Sequence, residues 1–180
     1  MSMGKKGVRT PEPAAGVVSR NAAKCFRFCI IDEHINLNHM SQKLNNNQVA
    51  DFIFGGKSIF TIRNVNTGNR FTYKLTRKKS LKEGDDDVVF VKVLMGADNT
   101  SDYTFIGTVF RRETYKHSSK SPFGADVMST KAIEWVVRNV NSLPPNIEVW
   151  HEGKCGRCGR KLTVPESIQS GFGPECATRR

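Results

Sequence analysis

The chain has 180 residues, with 28 Lys and Arg against 17 Asp and Glu, a formal net charge of +11 and a pI near 9.7. Its apolar content of 38% with eleven Phe argues against a disordered polymer, and no apolar run approaches the roughly eighteen residues of a membrane helix. The charge favours a polyanion, nucleic acid first and an anionic surface second, and five clustered cysteines fit reduced thiols better than a disulfide framework.

Residues 1–23 read as a flexible basic arm, and the opening MSMGKKGVRTPEPAAG has no secretory apolar region, so the expected compartment is the cytoplasm. Residues 24–44 read as a strand, CFRFCII, followed by an Asn-rich loop. Within them Cys25, Cys29, His34 and His39 approach a zinc-knuckle spacing, but Phe, Ile and Asp stand where a knuckle needs glycines. Two buried free cysteines on a strand are the favoured reading there.

From Asn47, the residues Val49, Phe52 and Ile53 repeat at helical spacing and Gly55-Gly56 ends the run. SIFTIRNV and RFTYKLTR flank Asn66-Thr67-Gly68-Asn69, the clearest hairpin. KKSLKEGDDD is a charged excursion whose Asp85, Asp86 and Asp87 read as a solvated loop rather than a carboxylate site. A second hairpin joins DVVFVKVLM to DYTFIGTVF, and RRETYKHSSKSPFG reads as a basic loop. Ser129 then caps a helix with a stripe of Ile133, Val136, Val137 and Val140, stopped by Leu143-Pro144-Pro145. Asn146 to Trp150 reads as a last short strand. The expected fold class is α+β: a small antiparallel sheet with two helices over 45–148, and a C-terminal treble-clef-like zinc module over 149–180.

The module reading rests on CGRCGRKLTVPESIQSGFGPECATRR. Cys155 and Cys158 form C-x2-C with Gly156 and Gly159 behind the thiols, and Pro174 is placed to start a short helix carrying Cys176. Zinc is favoured over an iron–sulfur cluster, which normally takes four cysteines at a different spacing. A closed structural zinc site takes four ligands. His151, four residues before Cys155, is the expected fourth, with a water, an N-terminal thiol or His39 as rivals. The deaminase arrangement fails because Glu152 is adjacent to His151. There is no HExxH, GxSxG or phosphate loop, so no catalytic residue is assigned.

The segment from Cys155 to Cys176 resembles an uncharacterised zinc-finger-like domain family common in bacteriophage and actinobacterial proteins, with the pattern C-x-x-C-G-R-x-L-T-x-P-x-S-I-x-x-G-x-G-P-x-C. All its fixed positions are met, among them Gly159, Arg160, Leu162, Pro165, Ser167, Gly171 and Pro174. FTIRNVNTGNRFTYKL, DYTFIGTVF and KAIEWVVRNVNSLPPNIEVWHEG resemble phage-encoded proteins of unassigned function. The resemblance implies zinc and a phage or mobile-element origin, hence a host-cell cytoplasm, and it implies no activity.

The last thirty residues have the highest density of positive charge. Arg157, Arg160, Lys161, Arg179 and Arg180 are therefore candidate phosphate contacts for DNA or RNA without sequence specificity. Phe71, Tyr73, Tyr103 and Phe105 lie on expected strands, where they either stack unpaired bases or fill the core. No helix-turn-helix is visible. The competing expectation is an effector that docks its hairpins on a host enzyme or defence complex.

Overall fold

Hydrophobic alternation and turn chemistry generate most of the architecture. In the computed structural model, which describes residues 41–78 and 87–179, the elements run β1 (Gln42–Lys43), α1 (Asn46–Ile53), β2 (Lys57–Asn64), β3 (Arg70–Lys78), β4 (Val88–Leu94), β5 (Tyr103–Phe110), β6 (Thr114–His117), α2 (Met128–Arg138), β7 (Ile147–His151), α3 (Pro165–Ser170) and α4 (Pro174–Thr178). The arm of residues 1–23, the strand CFRFCII, the Cys25/Cys29/His34/His39 group and most of the charged excursion lie outside the described residues. All those described belong to one compact unit, residues 31–180.

The seven strands form one antiparallel sheet in the order β1-β7-β2-β3-β4-β5-β6. Apart from the two-residue β1, each strand shows one face to the core. Phe60, Ile62, Tyr73, Leu75, Val89, Val91, Val93, Ile106, Val109 and Val149 are buried there, and α1 and α2 bring Val49, Phe52, Ile53, Ile133, Val136 and Val137 onto them. Tyr73 is buried with its hydroxyl donating to the Ser129 carbonyl at 2.6 Å, and Phe71 packs against the same core. These two aromatics are core residues, which removes them from the stacking candidates.

Four local expectations change. The segment after β5 is not a loop throughout. Arg111 and Arg112 take left-handed φ values of 52° and 60° in a tight turn, and β6 returns along β5 with Tyr115 buried. Ser129 does not cap α2. Val127 holds that position, and the Ser129 and Thr130 hydroxyls are buried without a partner among the described residues. The Asn-rich loop ends in β1, which pairs with β7. The last strand, finally, is no lead-in: β7 lies inside the sheet, paired with β1 on one side and β2 on the other, and the 148/149 boundary falls within it.

Candidate metal centre and cationic cleft

The tail leaves β7 directly. Lys154 and Lys161 pair as an antiparallel bridge, the Leu162 N–H donates to the Gly153 carbonyl at 2.8 Å and the Cys155 N–H to the Arg160 carbonyl at 2.8 Å. The two arms thus clamp a tight loop carrying Cys155 and Cys158. Pro165 and Pro174 each stand at the start of a short helix, where a missing N–H costs nothing. The second of these helices brings Cys176 back to the knuckle, and the three sulfur atoms lie within 4.8 Å of one another. Tetrahedral zinc with bonds of 2.3 Å separates thiolates by about 3.8 Å, so the cluster fits an ion of that size with small adjustments.

The electrostatics point the same way. Burial pushes the Cys155 thiol up, but hydrogen bonds from the Cys158, Gly173 and Arg157 backbone outweigh it, and its pKa falls below the ordinary value. Cys176 is pushed up to about 11 by desolvation, then by hydrogen bonding with the other two thiols and by their charge. Three sulfurs so close resist sharing negative charge, and a bound cation removes that resistance.

His151 does not join them. The ring is buried at the end of β7. Its Nδ1 accepts the Gly153 N–H at 3.0 Å, and its Nε2 lies 2.7 Å from the Ile168 carbonyl. Those partners fix the neutral tautomer with the proton on Nε2. Burial lowers its pKa, against opposing contributions from the Ile168 carbonyl and the Glu152 carboxylate. The expectation that His151 supplies the fourth ligand is therefore corrected: both nitrogens are committed to backbone groups that hold the knuckle and α3 against the sheet.

The centre is fixed to the body through Phe52. This fully buried ring packs on His151 and Phe172, with centroids 5.7 and 5.8 Å away. A Cβ on Gly156 or Gly171 would come within 2.8 or 2.7 Å of it. At the α1–β2 corner the Lys57 N–H donates to the Gly156 carbonyl at 2.9 Å. Residues 150–180, the stretch that contains this centre, match a family of unknown function, DUF6011. No curated protein matches the chain, and neither does any solved structure.

Between the knuckle and the sheet lies a cleft of about 810 Å³ whose lining includes Lys57, Arg77, Arg112, Arg157, Arg179, Asp51 and Cys176. Lys57 opens β2, Arg77 stands near the end of β3, Arg112 sits in the strained β5–β6 turn, Arg157 lies between the knuckle cysteines and Arg179 follows α4. The Arg77 Nε–H and Nη2–H both donate to the Asp87 Oδ2. Lys57, Arg112, Arg157 and Arg179 form no ion pair among the described residues. Of the cations expected from the sequence, Arg157 and Arg179 reach the cleft, Arg160 and Lys161 are exposed outside its lining, and Arg180 lies outside the described residues. Lys57, Arg77 and Arg112 were missed because only the fold brings them to the tail. The one local signal was Gly55-Gly56, read as a helix stop, where the backbone also approaches Gly156 and Arg157.

Proposed function

We propose that this is a small, non-enzymatic, cytoplasmic zinc protein that binds the phosphate backbone of nucleic acid in the cleft beside its metal centre. Zinc is the metal that three thiolates at this spacing suit best, held by Cys155, Cys158 and Cys176, and a solvent molecule is the simplest fourth ligand. The ion's role is structural: it ties the knuckle to α4 and so fixes Arg157 and Arg179. A phage origin is supported by the resemblance of the tail to a domain family common in phage proteins.

The observation that carries the reading is the convergence on one cleft of Lys57, Arg112, Arg157 and Arg179, which form no ion pair among the described residues although Asp51 shares the lining. Like charges gathered from four separate elements repel one another, and the β5–β6 turn that presents Arg112 holds two non-glycine residues at positive φ, a conformation costing on the order of 1–3 kcal/mol each. A polyanion offsets the repulsion, and each phosphate contact releases condensed counterions. The test is the salt dependence of binding to fluorescent DNA and RNA oligonucleotides. Replacing Lys57, Arg112 and Arg157 together by Ala is expected to weaken binding and to lower the slope of log affinity against log salt by about one unit per lost contact. Replacing Lys131, Arg160 and Lys161, the same charge away from the cleft, is expected to change the slope much less. Equal effects from both triple variants at unchanged metal content, or no binding at low salt, would overturn the reading.

A further inference from the structure

We infer that the outer face of the sheet is a stacking platform for unpaired bases, so that the polyanion held by this protein is single-stranded. The inference rests on the reading of the cleft as a nucleic-acid site and gives it a substrate class.

Alternation places Lys74 and Thr76 of β3, Phe90 and Lys92 of β4, and Phe105, Thr108 and Phe110 of β5 on the face opposite the buried Tyr73, Leu75, Val89, Val91 and Val93. A bulge makes this possible on β5. Val91 pairs with Gly107 and Lys92 with Phe105, so Ile106 is the extra residue. Ile106 and Val109 are thereby both buried, while Phe105 and Phe110 are on the outer face. A regular register from Phe105 onward would have turned Val109 outward instead.

Phe90, Phe105 and Phe110 are half-buried and do not belong to the apolar core beneath the sheet. The Phe90 and Phe105 rings lie 6.1 Å apart and tilted by 57°. Between the rings stand cations. Lys74 lies over the Tyr103 ring and Lys116 over the Phe110 ring, each 5.2 Å from the centroid. Lys74 and Lys92 are direct cross-strand partners, an arrangement that like charges make unfavourable. Neither they nor Lys116 form an ion pair among the described residues.

Cation–ring contacts within the chain use only part of this face: Lys74 and Lys116 each lie over one ring, while Lys92 and the Phe90–Phe105 pair have no such contact among the described residues. A strand whose phosphates meet the lysines while its bases lie on the rings uses both, and base–aromatic stacking of this kind is tolerant of sequence. A duplex keeps its base faces stacked inside the helix and cannot use the platform. The alternation of ring and cation is therefore complementary to single-stranded nucleic acid, and less so to a protein partner or a second copy of this cationic chain.

The experiment uses the full chain and three probes of equal length: a single-stranded pyrimidine oligonucleotide, its abasic phosphodiester analogue and a duplex. Wild type is expected to bind the base-bearing strand at least about tenfold more tightly than the abasic strand. Combined Phe105→Leu and Phe110→Leu keep apolar bulk but lose the π-faces. They are expected to lower single-strand affinity about ten- to a hundredfold, leaving the salt slope and the abasic affinity unchanged. Lys74→Thr is expected to weaken binding with little change in melting temperature, since the repulsion from Lys92 and the contact over the Tyr103 ring are lost together. Equal wild-type affinity for base-bearing and abasic strands would overturn the inference, as would unchanged binding by the Phe variant. Variants that lose stability but not affinity would also overturn it, and would assign the face to an occupant within the chain or to a second copy. Salt-dependent binding with unaffected Phe variants sinks the platform alone, whereas no binding of any probe sinks the cleft reading with it.

Discussion

His151 shows how far a residue's role departs from its place in the sequence. Four residues before a C-x2-C, it reads as a ligand, and the sequence cannot reveal that the ring lies buried with a backbone partner on each nitrogen. Replacing it by Ala leaves the Gly153 N–H and the Ile168 carbonyl without their partner, a cost of about 1–3 kcal/mol for each group that stays unsatisfied. The expected outcome for His151→Ala is a lower melting temperature with unchanged metal stoichiometry, measured by calorimetry and elemental analysis. Loss of the metal with stability otherwise retained would restore the ligand role. The pH dependence has a definite sign. Burial depresses the folded-state pKa of His151, so the unfolded chain binds the proton more readily. Its contribution to stability is then complete above the unfolded value of about 6.5 and is lost as pH falls from there through the folded value. His151→Gln should flatten the stability profile across that interval.

The elements divide by how local their cause is. Both longer helices were legible because Val49/Phe52/Ile53 and Ile133/Val136/Val137 keep helical period, and the β2–β3 hairpin because its turn holds Asn and Gly. β6 was not, since four residues in a polar stretch become a strand only through pairing with β5, and neither was the bulge at Ile106, which register alone defines. The thiol cluster was legible from spacing. Its attachment was not, because nothing near Phe52 in sequence announces that Gly156 and Gly171 will pack against its ring. That attachment can be tested directly. Gly156→Ala forces a methyl group into the Phe52 ring and is expected to cost about 1–3 kcal/mol, as overpacked sites do. At roughly 2–4 °C per kcal/mol for a chain of this size, the melting temperature should fall by several degrees. Phe52→Leu should recover part of the loss in the Gly156→Ala background although it destabilises alone, a coupling that a double-mutant cycle measures. Strictly additive effects would separate the knuckle from α1.

At the scale of the whole molecule the question is whether the metal centre can be lost without the sheet. Composition and spacing gave a sheet with a module after it, and that description omits the route of the chain. β7 lies between β1 and β2, so the residues that lead into the knuckle are also interior to the sheet. Phe52 joins them from the other side, with His151 and Phe172 against its ring. Metal binding in small zinc modules contributes about 10–16 kcal/mol, comparable to the whole stability of an ordinary domain at about 5–15 kcal/mol. If Cys155, Cys158 and Cys176 hold zinc as proposed, removing the ion is expected to take away more than the order of the tail. Protein purified without chelator is expected to carry one zinc per chain by elemental analysis. A strong chelator is expected to abolish hydrogen-exchange protection in β7 and in the adjoining part of β2 together with residues 152–179, in a single transition. Trp150, on β7, gives a second readout, because its indole N–H donates to Glu148 at 3.1 Å along the same strand and its emission should shift as the strand opens. Loss of protection confined to residues 152–179, with β7 and β2 intact and Trp150 unchanged, would show the tail to be separable. A metal-free protein with native exchange throughout would remove the metal centre itself.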